Sequence, residues 1–334
     1  MSKILSLSPA SHYLRAVTAM ACSPLDPHTF IAEHYRGFGD HVEKALEGMT
    51  SNDSKPTRYV EDFFDQVFER SIFTQIDNLR RTDFNVWLSV AESGSTAYWT
   101  GESAPAPISK MALAFTELKY KKLIAIVVRS KEMFKQAAGS NLNESVLFND
   151  LIGTTALSID TPALDPANAG DDERPASLTY GVIPVSAGSD IGAGIADTIS
   201  RFDGDLQAAH WISHPTTLAK IAMTRDAAGG YMFPDLSPRG GSLLGMPVVA
   251  TRACPIDSDG GSLILVDPSG IAVAMEPGRL VDSSHTDISM VDETDSTGPV
   301  MVNMFQTEGI ALKSTTYANW SVQRAGSVAV LTGI

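Results

Sequence analysis

The stretch that decides the fold is Phe84-Asn-Val-Trp-Leu-Ser-Val-Ala-Glu-Ser-Gly-Ser-Thr-Ala-Tyr-Trp-Thr-Gly-Glu-Ser-Ala-Pro-Ala-Pro-Ile-Ser-Lys-Met-Ala-Leu-Ala-Phe-Thr-Glu-Leu118, followed by a buried run to Arg129. Phe84, Val86, Leu88 and Val90 alternate with Asn85, Trp87, Ser89 and Ala91, the period of a half-buried strand. Met111, Leu113 and Phe115 repeat the pattern on the return. The segment between them, Glu92 to Pro107, is rich in Gly, Ser, Ala and Pro. Strands rise about 3.3 Å per residue, so arms of about ten residues project about 33 Å. An isolated hairpin of that length is marginally stable in water and needs a surface to lean on. A second subunit is the natural supplier.

Working outward, Leu123-Ile-Ala-Ile-Val-Val128 is apolar on both faces and reads as a central strand. Ser130 is placed to cap a short helix through Ala138, with Gly139 as its stop. A further helix starts at Asn143 and carries Val146, Leu147, Leu151 and Ile159. Upstream, Thr57 opens an amphipathic helix with Val60, Phe63, Phe64, Val67, Phe68 and Ile72 at helical spacing. Residues 1–56 read as an extension, ended by Ser51-Asn-Asp-Ser-Lys-Pro56. Pro162 to Pro184 reads as a loop.

From Ser186 short alternating elements begin, the pattern of a second, α+β domain. Asp190 is positioned to cap a helix with Ile191, Ile195, Ile199 and Phe202 on one face. A strand over Ala208 to Ile212 precedes a helix that Pro215 opens. Strands are expected at Pro247–Thr251, Ser262–Val266 and Gly270–Met275. The extended tail, Val300–Ser314 and Trp320–Leu331, is expected to return to the first domain's sheet.

Composition narrows the function. Of 334 residues 43% are hydrophobic, enough for a sizeable core. The net charge of −14 opposes general nucleic-acid binding, which needs a surplus of Lys and Arg. Cys22 and Cys254 fit neither a disulfide framework nor a zinc site. No apolar run reaches membrane-spanning length, so no span is expected, and residues 1–9, with one positive charge and a short apolar core, are not expected to act as a secretion signal. His12, His28, His34 and His41 cluster in the extension without the spacing or carboxylates of a metal site.

The search for chemistry returns little. There is no nucleophile elbow, phosphate loop or paired-cysteine motif. Gly188-Ser-Asp-Ile-Gly-Ala-Gly194 lacks the third glycine of a dinucleotide turn and reads as a loop entering a helix. His210, Ser213 and His214 sit together, but no acid is placed locally to orient either ring. Glu102 near the hairpin tip reads as a solvated carboxylate, a general base, or the partner of a cation on a neighbouring subunit. Catalytic, cofactor and metal sites are therefore all read as absent.

Four pieces then stand in order: Ala97–Pro107, Phe115–Met133, Trp211–Ile221, and Arg225–Tyr231 followed by Gly241–Val249. Together they resemble the major capsid proteins of tailed bacteriophages, the Hong Kong 97-type capsid fold, over residues 58–334. The resemblance implies a peripheral domain (57–83, 119–185, 298–334) with a long spine helix, an axial domain (186–297), an extended hairpin loop (84–118) and an N-terminal arm (1–56). It implies a structural shell protein and not an enzyme: rings of five or six copies tiling an icosahedral container for double-stranded DNA, without sequence-specific contacts or a membrane. Portal, scaffold and decoration proteins are the implied partners, and the virion capsid, assembled in the host cytoplasm, is the implied location. On the hairpin, Trp87, Tyr98, Trp99, Glu102 and Lys110 are expected to meet the neighbour. Many relatives carry a longer N-terminal segment that a protease removes; here a retained arm is expected. Some form Lys–Asn cross-links, for which Lys110 with Asn303 or Asn319 has the chemistry. The competing readings are an encapsulin-type compartment with protein cargo and a soluble two-domain enzyme using His210 or His214.

Overall fold

A computed structural model describes residues 57–93, 97–102, 108, 112–130, 142–188, 190–226, 228–257, 260–283, 287–290, 300–303 and 309–334. The N-terminal arm with its four histidines, Lys110 and the short helix expected after Ser130 lie outside the described residues.

The chain opens with α1 (Thr57–Arg70) and the short α2 (Ile72–Gln75). Strands β1 (Arg80–Arg81), β2 (Trp87–Ser93), β3 (Ala112–Glu117) and β4 (Lys122–Ser130) lead to α3 (Leu142–Leu164). Then come β5 (Val185–Ser186), α4 (Ile191–Arg201), β6 (His210–Ser213) and α5 (Pro215–Ala222). Strands β7 (Leu236–Ser237), β8 (Gly240–Leu243), β9 (Met246–Ala250), β10 (Ile256–Asp257), β11 (Gly260–Gly261) and β12 (Leu263–Val266) follow. After a 3-10 turn at Pro268–Gly270 the chain closes with β13 (Ile271–Ser283), β14 (Asp287–Met290), β15 (Val300–Asn303), β16 (Gly309–Val322) and β17 (Val328–Thr332). This is the expected mixture of helix and sheet.

The chain divides into two units, one of residues 1–70, 123–156 and 277–316, the other of residues 71–122, 157–276 and 317–334. The second holds a seven-stranded sheet of order β5-β17-β12-β6-β9-β8-β7. Its central strands β12 and β6 are antiparallel and buried at every residue. That is why Leu263-Ile-Leu-Val266 is apolar throughout: both faces are covered. On one face Trp211, Leu263 and Leu265 pack with Ile195 of α4 and Leu218 and Ile221 of α5. Each such side chain, fully buried, contributes about 1.5–3 kcal/mol.

Local signals place these helices as expected. The Asp190 carboxylate accepts from the backbone N–H of Gly192 and Ala193, capping α4. Such a cap is worth about 1 kcal/mol. Gly194 explains the glycine-rich approach without a ligand, because a Cβ there would lie 2.9 Å from Ala187 Cα. The glycine lets α4 sit close to the chain beside it.

In the first unit Phe63, Phe64 and Val67 of α1 are fully buried. Arg70, at the end of α1, donates to the Asn149 carbonyl (3.2 Å) and side-chain oxygen (3.1 Å) of α3. The two helices are thereby tied together.

Three expectations change. Strand β4 is not central: it ends the described sheet of order β1-β13-β16-β4, with Ile124 and Ile126 exposed. An apolar run cannot by itself distinguish a covered face from one awaiting cover. The tail divides: β16 joins that four-stranded sheet, but β17 pairs with β12 and β5 in the seven-stranded one. The alternation over Phe84–Val90 also fails at its start. Asn85 takes φ 57°, the left-handed region, which interrupts the extended run before β2 starts at Trp87. Phe84 and Leu88 are buried while Val86 is 45% exposed.

Helix α3 runs past Gly153 and Pro162 to Leu164, 23 residues and about 34 Å. Its last carbonyls are taken up by the loop that follows. Asn168 Nδ2 donates to Pro162 O, Ser177 Oγ to Ala163 O, and Thr179 Oγ1 to Leu164 O. A loop supplying these donors removes the cost of orphaned helix-end carbonyls.

Candidate functional site

The hairpin β2–β3 is held at its base. Asn85 N–H donates to Leu118 O at 2.9 Å. Phe84, Leu88 and Leu118 form a small cluster with Ala272 and Ala274. The Phe84 ring stacks on Tyr120 at 4.3 Å, and Tyr120 meets Tyr317 edge-on. The Tyr120 hydroxyl is held above the usual phenol range by its hydrogen bond to Glu276 and by that carboxylate's negative charge.

Beyond the base the ribbon loses cover. The register pairs Trp87 with Glu117, Leu88 with Thr116 and Ser89 with Phe115. Pairing alternates sides, so Trp87 and Phe115 share one face while Leu88 points to the other. Leu88 is buried; Trp87 is 68% and Phe115 62% exposed. At the tip Tyr98 and Ile108 are also exposed, and Trp99 is fully so. Glu102 is exposed beside them. Of the expected contact residues, Trp87, Tyr98, Trp99 and Glu102 thus lie on one exposed ribbon. Phe115 and Ile108 are exposed as well, and of these the alternation of the return strand marks Phe115.

A second exposed apolar group lies in the turn after α5. Arg225 stacks over the Tyr231 ring at 4.6 Å and donates to Gly229 O. Asp226 accepts from the N–H groups of Ala228 and Gly230. These bonds stiffen a loop on which Met223, Tyr231 and Met232 are exposed.

The candidate catalytic groups are engaged structurally. Ser213 Oγ donates to Ser262 O at 2.6 Å, inside the sheet. His210 is buried, with Nδ1 2.9 Å from Ala208 O. His214 caps α5: its Nδ1 accepts from Thr216 N–H, and burial and the charge of Arg252 lower its pKa. Asn319, weighed for cross-linking, is buried, donating to Lys119 O and accepting from Trp320 N–H. Among the described residues no cluster of His, Cys, Asp and Glu is arranged for a metal, and no helix is long and apolar enough to cross a membrane.

Comparison with known proteins agrees on one family. The profile described as "Phage capsid family" matches residues 55–333. A capsid polyprotein of Pseudomonas phage PAJU2 is 28% identical over 271 residues, covering 78% of this chain and 40% of that protein. A major capsid protein of Klebsiella oxytoca phage phiKO2 is 24% identical over 216 residues, 60% of this chain and 50% of that protein. The chain therefore spans half or less of these relatives' own length. Among solved structures, one from Microbacterium phage Oxtober96 covers 78% of this chain and 90% of its own, with a TM-score of 0.56 at 16% identity.

Proposed function

The chain belongs to the phage capsid family, and we propose that it is the major capsid protein of a tailed bacteriophage, assembling into pentamers and hexamers of an icosahedral shell around double-stranded DNA. Its fold is the Hong Kong 97-type capsid fold of its structural neighbours. In this reading the role is architectural and not catalytic, and the shell assembles in the host cytoplasm. Residues 186–297, joined by β17, form the axial domain; the remainder outside the hairpin forms the peripheral domain and N-terminal arm.

The observation that carries the proposal is the uncovered ribbon. Trp87 and Phe115 stand on one exposed face of β2–β3 (68% and 62% exposed). A monomer gains nothing from holding these rings in water; a neighbour's surface would bury them. Each subunit then makes several moderate contacts, and linkage multiplies their effect. The net charge of −14 fits a container wall that DNA slides past. The test is deletion of Gly94–Lys110. We expect a folded subunit by circular dichroism and no shells in electron micrographs. Shells in normal yield would overturn the role given to the hairpin.

A further inference from the structure

A groove of about 700 Å³ lies between the 176–185 loop and the 320–330 segment. That volume is in the ~300–1,000 Å³ range of ordinary binding clefts. Its lining is mainly apolar and includes Tyr180, Ile183, Trp320 and Val322. Ile183 is 80% exposed. The loop beneath it is not slack: Val182 N–H donates to Thr179 O, and Ser177 and Thr179 bond the end of α3. A rigid loop thus holds an isoleucine out in water. The charged residue in the lining is Arg201 of α4. It pairs with Asp197 at 2.9 Å, with both side chains about half exposed. Such a pair is worth little, and a guanidinium keeps donors for a second carboxylate.

The hairpin tip has the opposite character. Within residues 97–102 it presents Tyr98 and Trp99 to solvent, with Glu102 as its charge. We propose that this groove is the seat for the hairpin tip of a second copy of the chain, with Tyr98 and Trp99 entering the apolar channel and Glu102 meeting Arg201. The proposal rests on the reading that the hairpin reaches a neighbour, and adds where it lands. Aromatic anchors in a pocket beside a matched charge are the usual make-up of an interface hot spot. Between copies that each carry −14, a carboxylate opposite a guanidinium also sets register.

Two measurements on the full chain test it. In a Cys22→Ser background, Trp99→Cys combined with Ile183→Cys is treated with a short bismaleimide. A ladder of linked subunits is expected, absent from chains that carry only one of the two introduced cysteines beside the buried Cys254. Thr100→Cys serves in place of Trp99→Cys where loss of the ring itself stops assembly. In parallel, Glu102→Arg and Arg201→Glu should each lower shell yield about tenfold, and the two together should restore at least half of it. No ladder from folded protein overturns the seat; no rescue overturns the pairing. The deletion of Gly94–Lys110 separates the two readings. If it abolishes shells while the ladder is absent, the hairpin lands elsewhere; if shells survive it, both readings fall.

Discussion

Two hairpins in the same unit are built on opposite terms. β8–β9 closes in two residues, Leu244 and Gly245, both with positive φ (55° and 82°). Its strands bury Leu243, Val248 and Val249 in the body of the sheet. β2–β3 opens into residues 94–111, is buried at its base, and leaves Trp87 and Phe115 in water. The first hairpin is stabilised by its own molecule. The second is long and leaves large apolar side chains uncovered, as the proposed contact with a second copy requires.

The sharpest way to break this contrast is to remove one large ring from each region. Trp211→Ala empties a fully buried site in the sheet. It should cost about 3–5 kcal/mol in urea unfolding of the unassembled subunit. Trp87→Ala should change that stability by less than about 0.5 kcal/mol, yet reduce shell yield in micrographs. Comparable loss of subunit stability in both would end the distinction.

The next effect concerns what locks the sheet's own corner. Asp267 is fully buried; its carboxylate accepts from Asp205 N–H, Ser269 N–H and Ser269 Oγ, and pairs with Arg324. Burial works to raise its pKa, but the hydrogen bonds and the Arg324 charge outweigh it and hold it below the ordinary carboxylate value. Asp267→Ala should cost roughly 3 kcal/mol. Because the folded pKa is depressed, the contribution is present above about pH 4 and lost on acidification below it. Asp267→Asn should flatten that acid limb in a series of urea melts.

Asp160 should show the reverse slope. It is buried in α3, accepts from Ser71 Oγ at 2.6 Å and from Ile72 N–H at 3.1 Å, and joins α3 to the start of α2. Burial raises its pKa to about 7 against those two bonds. The folded state therefore holds a proton the unfolded chain releases near pH 4. Its contribution is complete below that pH and declines as pH rises toward 7. The wild type should lose roughly 2–4 kcal/mol more than Asp160→Asn between pH 4 and 8. Equal slopes would refute this.

The smallest effect sharpens the description of the closed hairpin. Leu244 is a β-turn residue of the wrong kind, held left-handed where Asn or Gly is favoured. Leu244→Asn should raise subunit stability by about 1 kcal/mol, with shell yield unchanged.

Where one residue's chemistry decides its own surroundings, the sequence was legible. Asp190 and Pro215 open helices because a capping carboxylate and a ring-fixed φ act within one turn. The buried strand Leu263–Val266 and the ribbon's aromatic residues could be read for the same reason. Cover could not. Ile124 and Ile126 look like core residues but face outward, and β17 leaves the sheet its neighbour β16 joins. The left-handed residue Asn85 gave no periodic warning: it interrupts the strand, so that Val86 is exposed while Phe84 and Leu88 stay buried together.

By itself, then, the amino-acid sequence determined where most helices and strands lie and that the ribbon carries large apolar side chains, though not that α3 runs through Pro162 to Leu164. Only the tertiary structure decided which faces are covered, which sheet takes the last strand, and that His210, Ser213 and His214 serve the sheet and a helix cap. The physical reason is range. Backbone preference and alternation act over a few neighbours, whereas burial depends on what distant parts of the chain bring to the same place.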